Sequence, residues 1–143
     1  MPGFTPNLSI PYPVAADNIS AYPALSKQQA EALEALLYDS GWIDVPLASG
    51  ITSQGGIPFR VRRIGSVVYP RSGINGTGIP ASTTTTIATL PAGFRPAVAL
   101  TAAVGTSTSV LASVRIETTG IMKLITPSST SSYYLITIPW TIN

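Results

Sequence analysis

The chain contains neither cysteine nor histidine. Without cysteine there is no disulfide framework and no thiolate nucleophile, and without histidine the commonest metal ligand and general base is missing. Charge is scarce too: Asp, Glu, Lys and Arg make up 10% of the residues against 45% hydrophobic, where roughly a quarter charged is usual. A monomer so poor in charge is expected to bury part of its surface between subunits. Long apolar runs are also lacking. The best charge-free candidate, PAVALTAAVGTSTSVLASV from Pro96, is broken by Gly105 and a Thr/Ser cluster, so it predicts two strands and a turn and no membrane insertion. The opening MPGFTPNLS has no basic n-region and no apolar h-region, so no secretory signal is expected.

What charge there is falls unevenly. Residues 1–57 hold Lys27 against Asp17, Glu31, Glu34, Asp39 and Asp44, a balance of −4; residues 58–143 hold seven cations against Glu117 alone, a balance of +6. At 143 residues the chain has room for one substantial core and a small appendage.

Three segments follow from the local pattern. Residues 1–25 carry Pro2, Pro6, Pro11, Pro13 and Pro23, which remove backbone donors and favour extended or polyproline II backbone. Phe4, Leu8, Ile10 and Tyr12 make this stretch more apolar than a disordered tail, so an extended N-terminal docking arm is expected. Residues 26–41 read as a short helix. Ser26 and Gln29 form a capping box, Ala30, Leu33, Leu36 and Leu37 form one stripe, and Gly41 suits a left-handed stop. So short a helix is marginal alone. Its stripe can pack on the chain's own sheet or on the same helix in neighbouring copies, and the second, an oligomerisation stalk, is the expectation.

From Trp42 onward strand signals dominate. Eight runs, from WIDVPLAS to SYYLITIPWTI, are separated by Gly, Pro, Ser and Asn. Residues 42–143 are therefore expected to be a mainly β head, an antiparallel β-sandwich or jelly-roll-like barrel. In VLASVRIETTGIMKLI, Val110, Ala112, Val114 and Ile116 share a face and Thr119-Gly120 turns the chain back as a hairpin. Pro46, Pro58, Pro70 and Pro139 mark edges or bulges.

Chemistry-bearing motifs are few. RSGINGTGIP is spaced G-x-x-G-x-G and leads into a Thr run, so it offers no helix N-terminus to a nucleotide phosphate. Five of the six carboxylates precede residue 45, leaving Asp44 with Glu117 as the conceivable hydrolytic pair; no enzyme, catalytic residue, metal or cofactor is expected. FRVRRIG puts Arg60 and Arg62 on one strand face and Phe59 and Val61 on the other. These arginines can pair with the acidic half or grip an anionic polymer; no recognition helix follows them, so no nucleic-acid partner is expected. Among Trp42, Tyr69, Tyr133, Tyr134 and Trp140, the alternation in YYLITIPWTI sends Trp140 to the core and Tyr133 outward. Tyr69, Arg71 and Tyr133 are the candidate contacts for a glycan or anionic polymer, because an aromatic face packs on the C–H face of a pyranose.

Taken together, TPNLSIPYPVAADN, FRVRRIGSVVY and above all TLPAGFRPAVAL, Thr89 to Leu100, resemble tail-associated structural proteins of long-tailed bacteriophages, of the receptor-binding or minor tail type. The resemblance implies a β-sandwich head that assembles as a trimer, a stalk before it, and an N-terminal part anchored to another virion protein. It implies a virion location after assembly in the host cytoplasm, and a host-surface saccharide as external partner. A capsid head fibre or decoration protein is the alternative. Within the last motif, Pro91 and Pro96 stiffen the backbone, Gly93 is expected to allow a tight turn, and Phe94 is expected in the core.

Overall fold

Proline and glycine divide this chain into short strands, and the apolar alternation within each strand decides which face turns inward. The computed structural model describes residues 3–4, 11–12, 14, 20, 22–107, 111–127 and 132–142. They fall into two units, 1–38 and 39–143.

In the first unit two short strands, β1 (Gly3–Phe4) and β2 (Pro11–Tyr12), pair antiparallel. They are followed by α1, Tyr22–Leu37. The helix starts four residues before the capping box, because Pro23 fits the first turn, where its missing N–H has no partner to lose and its φ is already helical. Ser26 and Gln29 thus lie inside α1. Its end also comes early. Gly41 is left-handed, with φ 63°, but it serves an irregularity in the next strand and does not close the helix. Leu25 is the buried residue of α1. Ala30, Leu33, Leu36 and Leu37 are all exposed, Leu37 at 77%.

The described residues of the second unit form nine strands: β3 (Asp39–Asp44), β4 (Arg60–Ile64), β5 (Val67–Asn75), β6 (Thr84–Thr89), β7 (Leu100–Thr106), β8 (Ala112–Ile116), β9 (Ile121–Ile125), β10 (Tyr133–Ile136) and β11 (Trp140–Thr141). The fold is mainly antiparallel β. One sheet runs β3-β4-β5-β10-β7-β8-β9-β6, with β11 paired to β5. It curls until its ends meet: Leu47, just past β3, bridges Ala88 of β6, and the Ala48 N–H donates to the Ile87 carbonyl. Pro139 splits the expected last strand, and its two halves, β10 and β11, pair with opposite ends of β5.

Period-two alternation fills the interior of this curl. Val61, Val68, Ile74, Ile87, Val114, Met122, Leu124, Tyr134 and Ile136 are essentially inaccessible. Ala112, Val114 and Ile116 share the buried face as expected, while Val110 lies outside the described residues. Phe94 and Trp140 are both in the core, and the Trp140 indole N–H donates to the Phe94 carbonyl at 2.8 Å. The corner before Phe94 is a 3-10 turn, Ala92–Phe94, closed by the Phe94 N–H on the Pro91 carbonyl. Gly93 has no positive φ there, so it is Pro91 and the 3-10 bond that shape the corner.

Candidate functional site

The face of β3, β4, β5 and β10 opposite the core is built by the same alternation. On β5 the even residues Val68, Pro70, Ser72 and Ile74 are buried, which leaves Tyr69 and Arg71 pointing outward with Gly73 and Asn75. Register extends this face sideways. Trp42 of β3 lies opposite Arg62 of β4, and Arg62 lies opposite Tyr69. One step along, Asp44 lies opposite Arg60 and Arg60 opposite Arg71. On β10, Tyr133 lies opposite Asn75 and Leu135 opposite Gly73. Directly opposed side chains in an antiparallel pair have Cβ atoms about 5 Å apart, so these rows are continuous strips of contact.

The arginines of this face are not equivalent. Arg60 donates from Nε to Asp44 at 2.6 Å. Arg62 makes a two-pronged pair with Asp39, its Nε donating to Oδ1 at 2.9 Å and its Nη2 to Oδ2. The Arg62 hydrogen bonds and the Gly41 N–H hold the Asp39 carboxyl down at about 2. Arg63 follows a different course, donating to the Gly65 carbonyl at 2.8 Å and the Gly93 carbonyl at 3.5 Å. The basic cluster thus pairs largely with the acidic half. Arg71 has no ion-pair or hydrogen-bond partner among the described residues.

Tyr69 and Arg71 are therefore neighbours on one exposed strand face. Tyr133 shares that face but sits opposite Asn75, four positions along β5 from Arg71, which is about 13 Å at the usual rise. The three candidates do not converge on one point. What gathers at Arg71 instead is a depression of 220 Å³ lined by Gln54, Ile57, Ser72, Gly73, Leu135 and Thr137 as well. Sequence reasoning missed these six. Leu135 and Thr137 share the outward parity of Tyr133 and could have been found from it, whereas Gln54 and Ile57 arrive on an irregular segment with no pattern to read.

Other expectations fall elsewhere. Phe4 and Tyr12 lie on the β1–β2 pair, where Tyr12 is exposed, and Leu8 and Ile10 lie outside the described residues. Asp44 and Glu117 are each held by a different cation. Glu117 accepts from Lys123 at 2.8 Å, and that bond lowers its carboxyl below the usual range. Among the described residues no three acidic side chains cluster as metal ligands, and no helix is long and apolar enough to cross a membrane.

Over 90% of its length the chain superposes on the receptor-binding protein (gp15) of Listeria phage PSA, covering 82% of that chain with a TM-score of 0.61 at 15% identity. This is the fold of a phage receptor-binding protein. The head domain of lactococcal phage bIL170, one of the receptor-binding domains of lactococcal phages, gives a TM-score of 0.53 at 19% identity, covering 72% of this chain and 98% of that one. The fold is shared at low identity, so individual contact residues do not transfer. No family model and no curated protein matches the sequence.

Proposed function

We propose that this is a non-enzymatic virion structural protein of a phage tail: a homotrimeric adhesion module whose β head recognises a host-surface glycan or anionic wall polymer. The observation that carries this reading is the shared fold over most of the chain with a phage receptor-binding protein. The exposed aromatics Trp42 and Tyr69, on either side of the Asp39-paired Arg62, support it, because flat aromatic faces suit the C–H faces of sugars. In this proposal residues 1–25 dock on another virion protein through Phe4, Leu8, Ile10 and Tyr12. The exposed stripe of Ala30, Leu33, Leu36 and Leu37 meets its copies around a threefold axis. Three weak sites held rigidly together gain avidity through effective concentration.

Fluorescently labelled full-length protein is expected to stain host cells and to compete with virion adsorption, and antibody to label the tail tip of intact particles. Label on the capsid, with no staining of cells, would replace this reading with that of a decoration protein.

A further inference from the structure

We infer that the depression at Arg71 is a pocket for one anionic group, a phosphate or carboxylate carried on a small moiety with an apolar face. The inference rests on the adhesion reading, selects the anionic ligands among those it names, and assigns their charged group to one pocket.

The argument starts from charge. Arg60 and Arg71 are directly opposed in the β4–β5 ladder, an arrangement of like charges that destabilises a sheet. Asp44 neutralises Arg60 alone, so the pair keeps a full positive charge that no described side chain answers. An anion seated on Arg71 would relieve that repulsion and gain a forked, charge-assisted contact.

Shape points to the same spot. Gly73 lets the Gln54 side chain lie across β5, since a Cβ at position 73 would come within 2.7 Å of the Gln54 Cβ. Leu135 lies over two glycines, its side chain 3.4 Å from the Cβ position of Gly73 and 3.7 Å from that of Gly105. With Ile57, exposed at 54%, it forms an apolar wall beside the guanidinium. The Gln54 amide and Thr137 hydroxyl supply polar groups at the rim, neither of them tied up in a side-chain hydrogen bond among the described residues. At 220 Å³ the space is smaller than a typical drug-sized site of about 300–1,000 Å³. It suits a single charged unit of a polymer, the rest running over the open strip of Tyr69 and Trp42.

The test is a titration of the full chain followed by backbone amide shifts, with glucose, glucose 6-phosphate and glucuronate as probes. The two anionic sugars are expected to shift the amides of residues 54, 57, 71–73, 135 and 137, weakening as salt rises. Glucose should act at least about tenfold more weakly, the scale of a hydrogen bond to a charged group. Arg71→Gln should raise the dissociation constants of both anionic sugars by about tenfold, and Arg71→Lys by less, since it keeps the charge and loses the fork. Equal binding of all three sugars, shifts confined to another face, or an unaltered Arg71→Gln variant would overturn the pocket. Staining of host cells separates this result from the adhesion reading: staining that survives Arg71→Gln intact removes the pocket and leaves adhesion standing, whereas wild-type protein that binds the charged sugars but stains no host removes adhesion alone.

Discussion

Gly120 shows how much one backbone position can carry. It follows the turn between β8 and β9 with φ 89°, and a Cβ there would come within 2.8 Å of both the Leu90 carbonyl oxygen and the Arg95 Nε. The Gly120 carbonyl also accepts from the Leu90 N–H, tying this turn to the residue before the Pro91 corner. Gly50 has a similar φ of 80° but open space around its Cβ position, so the two separate strain from collision. Gly50→Ala is expected to cost about 1 kcal/mol, the penalty for an L-residue in that backbone region. Gly120→Ala is expected to cost at least about 2 kcal/mol more, because a backbone carbonyl cannot swing aside as a side-chain tip can. Urea denaturation at one fixed protein concentration measures both, and equal losses would refute the collision. Such positions are half legible in sequence: the Thr119-Gly120 turn is plain from composition, but the approach of Arg95 and Leu90 is a tertiary fact. The same distinction holds at the candidate site. Tyr69 and Arg71 are readable from strand parity, while Gln54 lines the same depression only because Gly73 leaves room for it.

The strand β3 is fastened to β4 by two ion pairs, Asp39 with Arg62 and Asp44 with Arg60. Its register with β4 shifts between Asp39 and Trp42, where Gly41 takes positive φ and its N–H turns to the Asp39 carboxylate. Arg62 grips both oxygens of that carboxylate, so Asp39 fastens the irregular start of the strand. A carboxyl held at about 2 and about 3.9 when unfolded stabilises the fold fully above the unfolded value. That stabilisation is lost as pH falls through the folded value. Acid should therefore loosen β3 between about pH 4 and 2, and Asp39→Asn should lose stability at neutral pH and flatten this part of the acid profile. Hydrogen exchange of the Gly41 amide, which donates to the Asp39 carboxylate, and of the Arg63 amide, which donates to the Ser40 hydroxyl of β3, followed from pH 5 down to 2, reports the outcome; an unchanged profile in the variant would remove Asp39 from that role. The pairing of the arginine cluster with the acidic half was readable from charge alone, and so was the Trp140 core position from alternation. The limits of α1 were not, because a capping signature at Ser26 competes with Pro23, and proline is favourable in a first turn and nowhere later in a helix.

For the whole molecule, the exposed stripe of α1 is the element whose burial the fold leaves open. Leu33, Leu36 and Leu37 are 47%, 45% and 77% exposed. Fully burying a leucine is worth about 1.5–3 kcal/mol, so completing the burial of all three contributes on the order of 3–4 kcal/mol per copy, or about 10 per trimer. Bringing three chains together means two association steps, each costing about 4–15 kcal/mol in lost freedom. In the proposed trimer the stripe is large enough to matter and too small to hold three copies by itself, so the β heads would have to share the interface. Two results follow for mass measured in solution. The full chain is expected to be a trimer, and a chain beginning at Trp42 to associate at least tenfold more weakly without becoming strictly monomeric at high concentration. Leu33→Asp with Leu37→Asp in the full chain should reproduce that weakening while leaving the β signature of the circular dichroism spectrum unchanged, because neither side chain is part of the core. A full chain that stays monomeric at tens of micromolar would end the threefold arrangement, and with it the avidity that weak, shallow sites require. A trimer insensitive to both changes would move the interface wholly onto the heads.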